Sequence, residues 1–313
     1  QEAIAAVDQA REKIANLLNC DFSEIIFTGS ATEANNLAIK GFIKSLNYPS
    51  SQRSSANGII KFHIISTNIE HESVLESLEE LKKMGHEITY LKVNKDGFIN
   101  IADLEKNIKN NTLLVSVIYA NNEIGTIQPV KEIGKLLEKI NTKRKETGLN
   151  RIYLHTDVVQ AFQFLECRPD WLKVDLLTFS GHKIYGPKGV GALYIRELTP
   201  NTYNLKPIIT GGGQEFGLRS GTENVAGIIG LAKAVELAFE NKEARFKHIT
   251  NLRNQLLNYI IRDNKDAKLN GSSNNRLPNN LNIRFIGTSN ETFLIALDQQ
   301  RLSVSAGSAC SAR

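Results

Sequence analysis

The sequence predicts an α/β protein: a mainly parallel sheet covered on both faces by helices, followed by a smaller α/β domain. Three observations carry that expectation. Short apolar runs alternate with helical segments through the first 240 of the 313 residues, the order that yields parallel strands joined by crossover helices. The runs are four to six residues long, the length of a buried strand. Small or polar corners follow most of them, and in such sheets ligands bind at the carboxyl ends of the strands.

Taken in order, residues 1–18 read as an amphipathic helix with Ile4, Val7, Ile14, Leu17 and Leu18 on one side. Strands are expected at 24–27, 60–65, 87–91, 113–118, 152–155 and 174–179. Helical segments at 32–45, 72–84, 101–109 and 130–140 separate most of them. The stretch 47–58, with Pro49, four serines and Gly58, reads as a mobile surface insertion. A further strand is expected at 191–195, then a long helix at 222–240 behind a glycine-rich corner. From residue 241 the pattern changes to a helix reaching Ile261, an Asn-rich turn at 270–275, a strand at 280–285 and a short helix from Glu291. The chain therefore divides into a large domain, 1–240, and a small one, 241–313.

Apolar residues make up 41% of the chain and charged residues 23%, the balance of an ordinary globular protein. No apolar run approaches the length that spans a bilayer and no secretory signal is present, so no membrane association is expected. The net charge of +5 is mild; it fits phosphate-bearing ligands better than a dedicated nucleic-acid surface. Cys20, Cys167 and Cys310 form an odd, sparse set, which fits the cytoplasm or another reducing compartment rather than a disulfide framework.

The chemistry concentrates just past the strands. Ser180-Gly181-His182-Lys183-Ile184-Tyr185-Gly186-Pro187-Lys188-Gly189 follows the run at 174–179. A lysine there can lie in a cleft floor, where desolvation frees its amine as a nucleophile, and Ser180 and His182 can bind an anion. After the first strand comes Thr28-Gly29-Ser30-Ala31-Thr32-Glu33. Its small residues and helix start suit either a phosphate or simple helix capping. His71 is either a helix-start residue or a ring that stacks on a flat cofactor and moves protons. Asn121 and Asn122 are turn residues or ligands to a ring substituent or carboxylate. Asp157, with Gln160 three residues on, is costly at a buried strand end unless it meets a positive charge. A protonated pyridine nitrogen is such a partner. Together these elements describe a flat, phosphorylated, electrophilic cofactor held over Lys183.

The decamer at 180–189 resembles the cofactor-lysine segment of cysteine desulfurases, pyridoxal-phosphate enzymes related to the class V aminotransferases, and the resemblance runs through nearly the whole chain. It implies the fold-type I, aspartate aminotransferase-like architecture with pyridoxal 5'-phosphate as cofactor. By that resemblance Ala31 and Thr32 stand at the phosphate-binding helix start. His71 is the stacking histidine, and Asn122 lies near the ring hydroxyl and substrate. Asp157 is the partner of the ring nitrogen and Gln160 of the ring oxygen. Ser180 and His182 bind phosphate, and Lys183 bonds the cofactor covalently. The segment from Gly211 to Thr222 resembles the one that reaches into a neighbouring subunit, so a homodimer is implied, with Thr222 on the partner's phosphate. The order Thr-Gly-Ser-Ala-Thr at 28–32 departs from the family's commoner Thr-Ser-Gly-Ala-Thr, a change to a turn more than to a ligand.

Ser305-Ala306-Gly307-Ser308-Ala309-Cys310-Ser311 resembles the family's catalytic-cysteine loop in its long, mobile form, whereas Cys20 and Cys167 read as structural. The implied reaction removes sulfur from L-cysteine to give L-alanine, with a persulfide on Cys310. Lys183 or His71 moves the α proton. Sulfur then passes to acceptor or iron–sulfur scaffold proteins, for cluster assembly or tRNA thiolation. A selenocysteine lyase or another class V transaminase is the rival within enzymes. A non-catalytic, truncated homologue acting as a binding partner is the rival outside them. Family members begin several dozen residues earlier and continue past the cysteine to an arginine for the substrate carboxylate. Arg313 lies too near Cys310 for that role, so the small domain reads as incomplete.

Overall fold

The structure is a computed structural model that describes residues 1–46, 61–197 and 205–307. The insertion expected at 47–58, and Cys310 with the end of its loop, lie outside the described residues. The chain opens with α1 (Glu2–Leu18), β1 (Ile25–Thr28), α2 (Ala31–Asn36), a π turn at Leu37–Gly41 and α3 (Phe42–Leu46). Next come β2 (His63–Thr67), α4 (Glu72–Lys83), β3 (Glu87–Leu91), α5 (Ile101–Asn107), β4 (Thr112–Ser116) and α6 (Val130–Glu146). Then follow β5 (Tyr153–Asp157), α7 (Pro169–Leu172), β6 (Leu176–Ser180), β7 (Gly191–Ile195) and α8 (Val225–Phe239). The remaining elements are α9 (Lys242–Asp263), β8 (Ala267–Leu269), β9 (Ile283–Phe285) and α10 (Asn290–Gln299).

Seven strands form one sheet in the order β1-β7-β6-β5-β4-β2-β3, and β8 pairs with β9 apart from it. β7 runs antiparallel to both its neighbours, β1 and β6, and the other pairings are parallel. The carboxyl ends of six strands therefore meet along one edge of the sheet. Two apolar clusters cover the faces. On one, α1, α6 and α8 bury Ile14, Leu18, Ile133, Leu137, Leu231 and Val235. On the other, α2, the π turn, α3 and α4 bury Ala34, Leu37, Phe42, Val74 and Leu78. Covered on both sides, the strands carry buried residues at every position, apart from those of the edge strand β3 and Tyr153 of β5.

Two expectations are corrected. Ile4 is 68% exposed; the buried stripe of α1 runs through Val7, Ala10, Arg11, Ile14, Ala15 and Leu18. The helix expected at 32–45 is interrupted by the π turn, where Gly41 accepts the backbone N–H of Lys206 at 3.1 Å. A Cβ at Gly41 would stand 2.6 Å from the Lys206 carbonyl, so only glycine allows that crossing. The turn at 270–275, expected from its asparagines, is in addition stitched onto the loop after β4. Leu277 donates to Gly125, Ile127 donates to Asn275, and the buried Arg276 donates to the carbonyls of Ile124 and Asn270. Burial pushes the Arg276 guanidinium down to about 10. No helix among the described residues is long and apolar enough to cross a membrane.

One buried ion pair ties the glycine-rich corner to α1. Arg11 holds the Glu215 carboxylate through both Nη atoms at 2.8 and 2.7 Å. It also lies against the rings of Phe22, Phe27 and Phe216. Glu215 in turn accepts the N–H of Phe27 at 2.8 Å, which fixes the corner beside β1. Removing one partner strands a buried charge, so Arg11→Met should lower the free energy of unfolding by about 3–5 kcal/mol in urea titrations. A loss under about 1 kcal/mol would mean that the pair contributes little to holding the corner.

Candidate active site

The site is built from the loops that leave the carboxyl ends of the strands. Gly191, the first residue of β7, is the register partner of Thr28 on one side and Ser180 on the other. The turn after β1 and the loop after β6 thus lie two strand spacings apart, about 10 Å. A Cβ at Gly191 would stand 2.7 Å from the carbonyl carbon of Ser30 and 3.0 Å from the nitrogen of Ala31. The absence of a side chain at Gly191 lets that turn fold down onto the sheet edge. Ser30 caps α2 by accepting the N–H of Glu33. Glu33 reaches back to the N–H of Gly29 at 2.8 Å and takes the Arg219 guanidinium at 2.8 Å. Ala31 is half-buried and Thr32 exposed, with their backbone N–H groups in the first turn of the helix.

Lys183 ends a single 3-10 turn, Gly181–Lys183, directly after β6. It is half-buried, and its ammonium has no hydrogen-bond or ion-pair partner among the described residues. Gly181 and Gly186 stack closely, with Gly186 donating to Gly181 at 2.9 Å, so the loop is a rigid corner rather than a swinging one. Ser180 is buried and its Oγ lies 2.8 Å from His182 Nδ1. The His182 imidazolium is disfavoured by partial desolvation first, then by Lys183 and Lys188.

Asp157 closes β5 next door, 4% exposed. Its Oδ2 accepts from Asn35 Nδ2 at 2.8 Å and its Oδ1 from the N–H of Val159 at 2.9 Å. No cation forms an ion pair with it among the described residues. Burial raises its titration above the ordinary aspartate range; the bonds from Asn35 and Val159 and the charge of His71 only partly oppose this. An acid kept this dry, with a carboxylate face short of a positive partner, fits the protonated nitrogen of a pyridine ring. Gln160, half-buried, lies one turn beyond.

His71 is the N-cap of α4, where its Nδ1 accepts the N–H of Ser73 at 3.1 Å. The capping role weighed from sequence is therefore present, and it leaves Nε2 as the nitrogen without a partner among the described residues. Of the paired asparagines, Asn121 is the turn residue. Its Oδ1 accepts from Glu123 and Ile124, and its Nδ2 donates to Ile69. The amide of the half-buried Asn122 has no hydrogen-bond partner among the described residues. Thr222 is exposed, ahead of α8, in the segment pinned at Glu215 and Arg219. Cys310 is outside the described residues, while Ser305, Ala306 and Gly307 leading to it are exposed. Burial pushes the thiols of Cys20 and Cys167 up to about 12, which keeps both protonated.

The comparisons with known proteins identify the family. The profile described as "Aminotransferase class-V" matches residues 1–313. The chain belongs to that family, among its cysteine desulfurases. It is 44% identical over 311 residues to the cysteine desulfurase IscS of Dictyoglomus turgidum, covering 99% of this chain and 73% of that protein. The IscS of Rickettsia rickettsii is 41% identical over 309 residues, 99% of this chain and 69% of that one. A solved NifS-like protein superposes with a TM-score of 0.86 at 37% identity, covering 97% of this chain and 77% of the other. A structure described as SspA in complex with cysteine gives 0.77 at 35%, covering 99% and 80%. The desulfurase fold and the strand-end constellation thus point the same way.

Sequence reasoning passed over Glu70, Asn35 and Ser73. Glu70 lies beside His71 in the sequence and is fully enclosed. Its Oε1 accepts from Thr67 Oγ1 at 2.7 Å and from the N–H of Ile118 at 2.9 Å, which clamps the ends of β2 and β4 together. Its Oε2 has no partner among the described residues. Burial pushes its titration up to about 8, against those two hydrogen bonds. A carboxyl raised in the folded state favours folding at low pH and loses that advantage as pH climbs from the ordinary glutamate range through about 8. Glu70→Gln should therefore flatten the dependence of the thermal midpoint on pH between about 5 and 8, and stabilise the protein most at the upper end. Identical pH profiles for the two proteins in differential scanning calorimetry would contradict a neutral Glu70.

Proposed function

We propose that this desulfurase converts L-cysteine to L-alanine with pyridoxal 5'-phosphate held at the strand ends, and leaves the sulfur as a persulfide on Cys310. The observation that carries the reading is Asp157. It is a buried carboxylate without a cation, beside a lysine amine without an anion, at the edge where small-residue turns expose backbone N–H groups. Ala31, Thr32, Ser180 and His182 would hold the phosphate, Asp157 the ring nitrogen and Gln160 the ring oxygen. Lys183 would hold the aldehyde carbon, and Asn122 would lie near the ring hydroxyl. The bound cofactor supplies a conjugated ring that accepts electron density from the substrate's α carbon.

The chain's own groups do the rest. Lys183, once released from its bond, is an amine with no competing partner, able to take the α proton. His71, tied at Nδ1, has only Nε2 free for proton transfer. The Cys310 thiolate attacks the substrate sulfur, the carbon–sulfur bond breaks, and its electron pair stays with the β carbon. That carbon takes a proton and becomes the methyl group of alanine. The sulfur now on Cys310 passes to an acceptor thiol or an iron–sulfur scaffold protein in a reducing compartment such as the cytoplasm. The corner from Gly211 to Thr222, anchored at Glu215 and Arg219 with Thr222 exposed, would reach a partner subunit's phosphate in a homodimer.

Two variants test the assignment together. Lys183→Ala should lose the yellow absorbance and borohydride trapping of the lysine-bound cofactor, and alanine production should fall by at least about 100-fold. Cys310→Ser should keep the colour and lose alanine production to a similar degree. Trapping at another lysine, or full alanine production by Cys310→Ser, would refute the corresponding role.

A further inference from the structure

Asn35 is the fifth residue of α2, with no solvent exposure, and its side-chain nitrogen bridges two elements. One N–H goes to Asp157 Oδ2 at 2.8 Å and the other to Ser73 Oγ at 2.9 Å. Ser73, in the first turn of α4, brings that Oγ within 2.9 Å of His71 Nδ1. The amide orientation follows from Asp157, whose carboxylate only accepts. With Asn35 donating to it, the Ser73 hydroxyl keeps its own proton for His71. His71 Nδ1 also receives the Ser73 backbone N–H at 3.1 Å, so the neutral ring carries its proton on Nε2. A continuous chain, Asp157–Asn35–Ser73–His71, thus joins β5, α2 and α4.

The other end of the amide shows what this arrangement is for. Asn35 Oδ1 is buried with no partner among the described residues. An orphaned buried carbonyl costs about 1–3 kcal/mol, a cost that packing alone gives no reason to carry. An asparagine that is a poor choice for the core is a good one for a site.

We propose that Asn35 is a positioning residue. With Ser73 it forms a bridge that aims the Asp157 carboxylate and sets the tautomer of His71, so that the two groups facing the pyridine ring are held as one unit. The inference rests on the pyridoxal phosphate reading above. Neither Asn35 nor Ser73 touches the reacting atoms in it; each acts through Asp157 or His71. Glu70, the other acid near Asp157, is engaged at Oε1 by Thr67 and Ile118 and takes no part in the bridge.

The test compares wild type with Asn35→Leu, Ser73→Ala and the double variant, each stripped of cofactor and then titrated with pyridoxal 5'-phosphate. The ring nitrogen is followed by NMR in 15N-labelled cofactor. Loss of one hydrogen bond to a charged group should weaken pyridoxal phosphate binding by about 10- to 100-fold in Asn35→Leu. Its ring-nitrogen signal should move toward the unprotonated position. That movement of the ring-nitrogen signal is one that a merely structural residue would not give. Ser73→Ala should weaken binding less, and the double variant no more than Asn35→Leu alone, because both cut the same chain. Unchanged affinity and ring protonation in Asn35→Leu would overturn the proposal. So would strictly additive losses in the double variant. Failure of wild type to bind pyridoxal phosphate at Lys183 would overturn the functional reading itself, and the bridge with it.

Discussion

Everything at the sheet edge depends on one awkward group, the Asp157 carboxylate. It ends β5 in the middle of the sheet, with β4 on one side and β6 on the other. Water cannot solvate it there, and the two hydrogen bonds it accepts do not replace a counter-ion. A fold would not keep such a group for stability, since dry carboxylates resist ionisation and a hydrophobic residue would pack at no such cost. Its presence makes sense if the missing charge comes from a ligand. Around it the chain sets up what that ligand needs. A free amine comes from the next strand, small-residue turns with open backbone N–H groups from β1 and β6, and a capped imidazole from β2.

The parallel sheet makes that convergence possible. Six strands deliver their carboxyl ends to one edge, so residues far apart in sequence become neighbours without long side-chain reaches. The reversed strand β7 matters as much. Entering the sheet from that edge at Gly191, it separates the Thr28 turn from the Ser180 loop while offering no side chain to obstruct either. The Glu33 carboxylate then locks the turn to Arg219 and, through the glycine-rich corner, to the Arg11–Glu215 pair on α1. The turn at 28–32 is thus held by two ion pairs from a segment whose exposed end carries Thr222.

Much of this was legible in the sequence, for physical reasons. Strands buried on both faces appear as apolar runs, so β7 falls where the sequence places it and β1, β2, β4, β5 and β6 within about three residues; the edge strand β3 also falls in place, while the short β8 was not expected. Asp157, Lys183 and Ser180 stand out because a charged or polar residue directly after such a run must have a purpose. What the sequence hides is lateral. Asn35 looks like any helix polar residue until the fold lays α2 over β6 and β7 and beside α4, within reach of Asp157, and Ser73 is one serine among several. The π turn at Leu37–Gly41 leaves no mark on the helical period. The docking of the 270–282 segment onto the loop after β4 depends on Arg276, a residue type usually read as solvent-facing, here almost fully enclosed.

The most direct test of the account is the titration of the Asp157 carboxyl itself, read by 13C NMR with Asp157→Asn identifying the signal. In the cofactor-free protein the account requires this carboxyl to titrate above the ordinary aspartate range, because burial outweighs its hydrogen bonds. On saturation with pyridoxal 5'-phosphate it should become the ionised partner of a cation, and its titration should fall below that range. A cofactor-free Asp157 that titrates normally, or one that does not respond to the cofactor, would contradict the central claim.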